Sequence, residues 1–499
     1  MFRKICCRKI DEIKILKEKY KVDKVRTRFA PSPTGYMHIG NLRTALYEYL
    51  IAKSNGGDFI LRIEDTDKAR YVEGAEKVIY NTLKSVGLKH DEGPDIGGNY
   101  GPYVQSERKG DYLTYAKKLV ESGAAYYCFC DKEENSGEHL ESGHKDKCRD
   151  LSSEKIKKNL ELNIPYTIRQ KMPVEGVTTF KDVVFGEVVV ENKELEDQIL
   201  IKSDGFPTYN FANVVDDHEM CITHVVRGCE YLSSTPKYNL LYKALGWKIP
   251  VYVHLPLIMG KDENGTVSKL SKRHGAVSFE DLVKMGYLPE AINNYIAFLG
   301  WCPDSNKEIF SLTELVKEFS AQRISKSPAV FDYKKLDWYN SEYLKLKSEE
   351  DFENLALPYI NLVVDSSVCD TSKIAKLLKN RISKLSEIPD MIDFFARVAK
   401  YDLSLYTNKK SKTNSEISKS VLIDIKTELE KLRSWDYDSL HELFMDYAKE
   451  KELKNGTVMW PVRIAISGKQ MTPGGAIEIL EILGKEESLK RIENAINLL

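Results

Sequence analysis

The chain reads as an α/β fold built on a parallel sheet, interrupted by an α+β segment and followed by an all-α C-terminal region. Three observations predict this. Val25 to Phe29 and Phe59 to Ile63 are short apolar runs, and between them Leu42, Ala45, Leu46, Tyr49 and Leu50 recur at helical spacing. Strand, helix and strand in succession form a βαβ unit, which sets its two strands parallel in one sheet. From about Ala124 to Gln198 the pattern changes: cysteines cluster, a charged polar stretch follows, and the apolar runs become short. Beyond about Val277 apolar residues return every three or four positions, the stripe of an amphipathic helix.

The elements follow in order. Met1 to Lys24 is rich in Lys and Arg but also carries Asp11, Glu12, Glu18 and Asp23, whereas transit peptides are usually poor in acids, so organellar targeting is the alternative rather than the reading. A short amphipathic extension is expected for residues 1–24. Residues 25–123 supply the first half of the α/β fold. Its second strand ends at Glu64-Asp65-Thr66-Asp67, and Gly93 to Tyr103, rich in Gly, must be loop. Residues 124–198 are expected to be an insertion, and 199–276 the second half, with Leu255 to Met259 as a further strand. Helices are expected over 277–345 and 346–499. Ile374, Leu377, Leu378, Ile382 and Leu385 form one stripe; Ile417, Val421, Leu422, Ile425, Leu429 and Leu432 another; Leu440, Leu443, Phe444 and Tyr447 a third. Thr407 to Ser415, made of Lys, Ser, Thr and Asn, is expected to be a loop between helices.

With 499 residues the chain is long enough for about three or four folding units. Its 42% hydrophobic and 30% charged content excludes a disordered chain. No uninterrupted apolar run approaches the ~18 residues of a membrane span, so no span is expected. A formal net charge of −1 does not advertise a nucleic-acid binder, yet such binding needs only a local basic face. Nine cysteines, an odd and mostly scattered set, point to a reducing compartment, the cytoplasm, rather than to a disulfide scaffold.

Two stretches carry nucleotide chemistry. In Arg28-Phe29-Ala30-Pro31-Ser32-Pro33-Thr34-Gly35-Tyr36-Met37-His38-Ile39-Gly40-Asn41, a stiff Pro/Gly turn leaves a strand and His38-Ile39-Gly40 opens a helix. A helix N-terminus offers unpaired N–H groups and positive potential to phosphate. Gly40 lets a nucleotide approach the backbone closely, and His38 is placed to hydrogen-bond a phosphate oxygen. The second stretch, Lys269-Leu270-Ser271-Lys272-Arg273, is a basic loop flanked by Gly260, Gly265 and Gly275. Taken alone, each has a plain alternative: an ordinary helix cap and a solvated basic loop.

Together and in this order, the two resemble the signatures of class I aminoacyl-tRNA synthetases, in detail those of the bacterial-type glutamyl branch. The resemblance covers nearly the whole chain after Lys24. It implies a Rossmann-type catalytic domain with an inserted acceptor-binding domain at 124–198, stem-contacting helices at 277–345 and an α-helical anticodon-binding region at 346–499. It implies the substrates ATP, with Mg2+, and glutamate, and tRNA for glutamate as partner, with tRNA for glutamine as a second candidate. His38, Lys269 and Lys272 would be catalytic. His38, Gly40, Glu230, Lys269, Ser271 and Lys272 would hold ATP. Cations there stabilise the charge that gathers on the phosphate oxygens in the transition state. A monomer without membrane contact is expected, and activation of glutamate is expected to require bound tRNA.

By the same resemblance Arg28, Ala30, Ser32, Glu64, Tyr209, Asn213 and Arg227 line the amino-acid site; the run Asp204 to His218 matches the family. Glu64 would accept from the substrate's ammonium, and Arg227, assisted by Arg28 and Tyr209, would hold the side-chain carboxylate. A guanidinium pairs bidentately with a carboxylate and keeps its charge, so the site should take glutamate and reject glutamine. Two other readings are a glutaminyl enzyme of the same fold and a non-catalytic tRNA-binding protein on a synthetase scaffold. Arg227 and the helical C-terminus speak against the first; His38, Lys272, Glu64 and Arg227, all present, speak against the second.

Cys128-Phe129-Cys130 and Cys148 have metal-ligand spacing. Some bacterial-type relatives carry zinc here, so a structural zinc is expected on Cys128, Cys130 and Cys148, with Asp150, His144 or His139 as fourth ligand; free thiols are the alternative. Gln105-Ser106-Glu107-Arg108 resembles a family run near the cleft, where Arg108 either contacts tRNA or forms an internal ion pair. Ser325 to Asp332, Trp460 to Ala465 and Pro473-Gly474-Gly475 resemble later family landmarks.

Overall fold

The computed structural model describes residues 24–66, 72–130, 147–262, 264–365 and 369–499. The extension expected ahead of Lys24 and the candidate ligands His139 and His144 lie outside the described residues. The chain divides into two compact units. One holds residues up to Asp281 together with Ile292–Asp332; the other holds Leu282–Ala291 with Tyr333–Leu499.

In the first unit β1 (Arg26–Phe29) and β2 (Asp58–Leu61) pair in parallel across the helix Ile39–Ser54, the expected βαβ unit. Leu42, Ala45, Leu46 and Leu50 are fully buried on that helix, and so are Tyr47 and Glu48, so it is covered on most sides rather than along one stripe. Gly57 brings the chain back tightly: a Cβ there would sit 2.1 Å from the Val25 carbonyl oxygen. A second sheet runs in the order β6 (Gly186–Glu191), β5 (Val177–Asp182), β9 (Val251–Leu255), β8 (His224–Gly228). β5 and β6 form an antiparallel hairpin, whereas β9 is parallel to both β5 and β8. A hairpin from the 124–198 segment therefore shares a sheet with strands from beyond residue 199. β3 (Ala125–Cys128), β4 (Thr167–Gln170) and β7 (Ile199–Ile201) make a separate antiparallel sheet, packed on a core that includes Tyr112, Phe211 and Leu241.

The single strand expected over Leu255 to Met259 is instead two. β9 stops at Leu255, Pro256 and Leu257 turn the chain, and β10 (Ile258–Lys261) joins another sheet, antiparallel to β11 (Val267–Lys269) and parallel to β12 (Ala329–Val330). Proline lacks the N–H a ladder needs, and the apolar run hid the break.

The second unit is helical: Tyr333–Leu346, Glu349–Ile360, Thr371–Leu378, Ile388–Ala396, Ser415–Lys431, Tyr437–Glu450, Asn455–Ser467 and Ala476–Leu498. Two of the three expected stripes lie on single helices, save Leu432, which caps the first of them. The stripe from Ile374 to Leu385 does not: its helix ends at Leu378 and Leu385 opens a short 3-10 turn. There the chain turns to bond Gly286, whose carbonyl accepts from the Leu385 amide at 3.2 Å and whose Cβ would collide with Ser386. Gly484, at φ +74°, kinks the last helix. Beyond it Arg491 donates to the Phe394, Phe395 and Ile466 carbonyls. Thr407 to Ser415 holds a turn closed by Asn408 and Thr413, as expected of a loop. No helix among the described residues is long and apolar enough to cross a membrane.

Candidate active site

A cavity of about 700 Å³ opens where β1, the N-terminus of helix Ile39–Ser54, the end of β8 and the end of β11 converge. Of the sequence-predicted residues, Arg28, Ala30, Ser32, His38, Gly40, Tyr209, Arg227, Glu230 and Lys269 line it. Glu64 and Asn213 are buried behind it rather than in its wall. Ser271 borders the turn Lys272–His274, and Lys272 itself is exposed outside the lining.

His38 caps its helix, accepting the Gly40 N–H on Nδ1 at 3.0 Å. Burial, with Lys269 beside it, holds its pKa below the usual value, while the Leu270 backbone opposes them. The imidazole is therefore neutral at pH 7 and able to donate from its other nitrogen. The loop after β11 is pinned by a residue the sequence reading passed over. His274 accepts the Ser271 N–H at 3.1 Å, and its Nε2 lies 3.1 Å from Ser268 Oγ. The ring packs where a Gly260 side chain would be, since a Cβ there would lie 2.6 Å away.

Arg227 lies under three aromatic rings, with its guanidinium carbon 5.1, 4.7 and 5.4 Å from the Tyr231, Tyr238 and Tyr252 centroids. Its Nε donates to His254 Nε2 at 3.2 Å and its Nη2 to Thr235 Oγ1 at 2.7 Å. Among the described residues no carboxylate pairs with it. A half-buried cation in the cavity wall with no counter-charge is a receptor for an anion. Tyr209 has its ring partly exposed while its hydroxyl sits deep; burial, with Glu64 and Tyr231 near, pushes its pKa well up.

Arg28 differs. Its guanidinium is committed to Asp217 (Nε, 2.9 Å) and Glu48 (Nη1, 3.2 Å), so its charge is already matched. Glu64 is likewise paired, with Arg62 at 3.1 Å, and burial pushes its pKa up to about 7 against the pull of Arg62 and Arg28. Arg62 also bonds Asp217 at 2.8 Å and Asn213 Oδ1 at 2.9 Å. Arg108 is buried and bonds Asp216 at 2.8 Å, which is the ion-pair reading of its sequence run. The cluster thus sets three guanidiniums (Arg28, Arg62, Arg108) against four carboxylates (Glu48, Glu64, Asp216, Asp217). Sequence reasoning missed Arg62, Glu48, Asp182 and His254. A signal for Asp182 existed: Thr178, Phe180 and Asp182 are the inward positions of an alternating strand, so the acid had to be buried.

The thiols of Cys128, Cys130 and Cys148 converge within 4.8 Å of one another, with the Cys130 and Cys148 sulfurs 3.7 Å apart. Cys128 and Cys148 are buried, and burial with the neighbouring sulfurs pushes the Cys130 thiol well up. Three convergent thiols suit a soft cation such as zinc. Asp150 is not part of the set: it is exposed and its carboxylate pairs with Lys171 at 3.2 Å.

The family model for the catalytic domain of class I tRNA synthetases (E and Q) matches residues 24–338, and that of an anticodon binding domain matches residues 350–496. The chain therefore belongs to the class I aminoacyl-tRNA synthetases of the glutamyl and glutaminyl branch. Within the branch, similar curated proteins include glutamate–tRNA ligases. That of Clostridium novyi (strain NT) is 57% identical over 484 residues, covering 95% of this chain and 98% of the relative. That of Clostridium kluyveri is 58% identical over 483 residues, covering 95% and 98%. The crystal structure of a glutamate tRNA ligase from Elizabethkingia meningosepticum in complex with its amino acid superposes with a TM-score of 0.85 at 38% identity, covering 96% of this chain and all of that one.

Proposed function

We propose that this chain is a glutamate–tRNA ligase. A glutamate α-carboxylate oxygen attacks the α-phosphorus of ATP, pyrophosphate leaves, and a hydroxyl of the terminal adenosine of tRNA then displaces AMP from the glutamyl-adenylate. The observation that carries this reading is one cavity wall with two halves. One half is a helix N-terminus with neutral His38, Gly40 and the cation Lys269, suited to phosphate. The other is Arg227, a cation with no carboxylate partner among the described residues, suited to a side-chain carboxylate. Glutamine would leave that charge unpaired in a desolvated site.

Arg28 holds substrate as part of a fixed frame, since Glu48 and Asp217 lock its orientation. Glu64 receives the substrate ammonium in its ionised form. Lys272 reaches the phosphates when the loop after β11 moves over bound ATP. Mg2+ bound to ATP would screen its phosphate charge beside Lys269. No side chain is assigned as general base; positioning and charge stabilisation supply the catalysis.

Residues 124–198 would hold the acceptor end, 277–345 the stem and 346–499 the anticodon, where bases are splayed and read on edges and by stacking. Zinc on Cys128, Cys130 and Cys148 would tie β3 to the turn at Cys148 in place of a large core. A cytoplasmic monomer completes the reading. The test is charging of purified tRNA for glutamate and tRNA for glutamine with labelled glutamate and, separately, labelled glutamine. Glutamate on its own tRNA supports the reading, glutamate on both widens the acceptor range, and tRNA binding without transfer of either amino acid overturns it.

A further inference from the structure

Behind Arg227 lies a chain of buried polar groups that no step above uses. Asp182, at the end of β5, and His254, on β9, both have fully buried side chains. The Asp182 carboxylate is saturated. One oxygen accepts the Val184 and Phe185 N–H groups at 2.8 Å each; the other accepts the His254 N–H at 3.1 Å and meets His254 Nδ1 at 2.7 Å. These bonds hold the carboxyl below its usual pKa against burial, so Asp182 is an anion. An anionic acceptor fixes the imidazole proton on Nδ1 and leaves a lone pair on Nε2. Burial disfavours a second proton on His254. That lone pair faces Arg227 Nε at 3.2 Å. Thr235 completes the seat: its Oγ1 accepts from Arg227 Nη2 at 2.7 Å and donates to the Tyr231 carbonyl at 2.8 Å.

The guanidinium is thereby held by one N–H on Nε and one on Nη2. The tyrosine rings over it restrict its faces, so a ligand carboxylate would meet the guanidinium protons that these bonds do not hold. A neutral acceptor suits this post better than a carboxylate would. An acid in the place of His254 would neutralise Arg227 and compete with the substrate's own carboxylate.

We propose that Asp182, His254 and Thr235 are positioning residues that orient Arg227 and so set the preference of this site for glutamate over glutamine. The proposal rests on the ligase reading. The chain starts on β5, within the 124–198 segment, so this selectivity depends on a residue 45 positions before Arg227 in the sequence.

The experiment is aminoacylation by the full chain carrying His254→Ala, His254→Gln, Asp182→Asn or Thr235→Val, with KM for glutamate, KM for ATP, kcat and the glutamate-to-glutamine selectivity measured for each. His254→Ala is expected to raise KM for glutamate at least tenfold and lower selectivity by a similar factor, with kcat within about threefold and KM for ATP unchanged. His254→Gln, whose amide oxygen also accepts from Nε, should recover most of the loss. Thr235→Val, close in volume, should raise KM for glutamate about three- to tenfold and keeps the test open if His254→Ala does not fold. Unchanged KM and selectivity in the variants, or equal losses in kcat and in KM for both substrates without rescue by Gln, would overturn the proposal. Failure of the unmodified chain to charge glutamate would instead overturn the ligase reading itself.

Discussion

Two acids hold one arginine in the buried cluster, and they are not equivalent. Asp217 takes Arg28 Nε at 2.9 Å and Arg62 Nη1 at 2.8 Å, and the two guanidiniums hold its pKa below the usual value despite burial. Glu48 takes only Arg28 Nη1, at 3.2 Å, and its second oxygen is buried without a partner. Burial, aided by the Asp217 charge, pushes Glu48 well above the usual range against the pull of Arg28 and Arg62. With four carboxylates facing three guanidiniums, Glu48 is the one that keeps a single side-chain hydrogen bond, and burial favours its neutral form. Asp217→Asn therefore weakens two charge-assisted bonds between buried partners, each worth about 1.5–3 kcal/mol against about 1 for a neutral bond, a loss of about 2–3 kcal/mol. Glu48→Gln weakens one long bond to Arg28 from an acid whose neutral form burial already favours, and should cost under about 1 kcal/mol. The assay is hydrogen exchange of peptides covering β1 and helix Tyr209–Glu219, which reads this cluster without interference from unfolding elsewhere. Asp217→Asn should speed exchange about 5-fold or more relative to Glu48→Gln at about 1.4 kcal/mol per decade. Equal effects, or a larger one for Glu48→Gln, would refute the charge count.

Four further outcomes are expected. Glu64 is a neutral acid well below its pKa of about 7 and an anion above it, so kcat/KM for glutamate should rise with pH through about 7, and Glu64→Gln should flatten the profile. Lys272→Ala should lower charging about 10²–10³-fold while tRNA affinity, read by filter binding, stays within a few-fold. Gly260→Ala puts a Cβ 2.6 Å from the His274 ring, so it should dislodge the loop after β11 and cut kcat at least tenfold, with KM for glutamate little changed. Purified chain should carry about one zinc by elemental analysis and Cys148→Ser close to none; equal metal in both would show that the thiols do not bind it.

The βαβ unit, the C-terminal helices and most of the cavity wall were legible because each rests on local periodicity or a short contiguous signature. What escaped is long-range. Arg62 sits inside the apolar run Phe59 to Ile63 and drew no notice there, yet it pairs with acids from positions 64, 216 and 217. Periodicity counts a charge as surface, and only three-dimensional pairing reverses that. The zinc reading illustrates the limit of spacing: three thiols converge as expected, but Asp150 lies two residues from Cys148 and turns away to Lys171. Leu255 to Met259 failed for a local reason, a proline inside an apolar run.

The wall of the cavity at Pro256, Leu257 and Ile258 is finished by chain that is synthesised later. Arg43 joins the Pro256 and Leu299 carbonyls, the Ala329 amide bonds the Leu257 carbonyl, and the Phe331 amide bonds that of Met259. A ribosome must therefore extend about 60 residues past Arg273 before this wall of the cavity can close. Until then the emerging chain carries β10 with one flank unpaired, an edge open to wrong partners. For anyone cutting the gene into fragments, a piece meant to keep this cavity wall has to run to Asp332, not to the end of the two signatures.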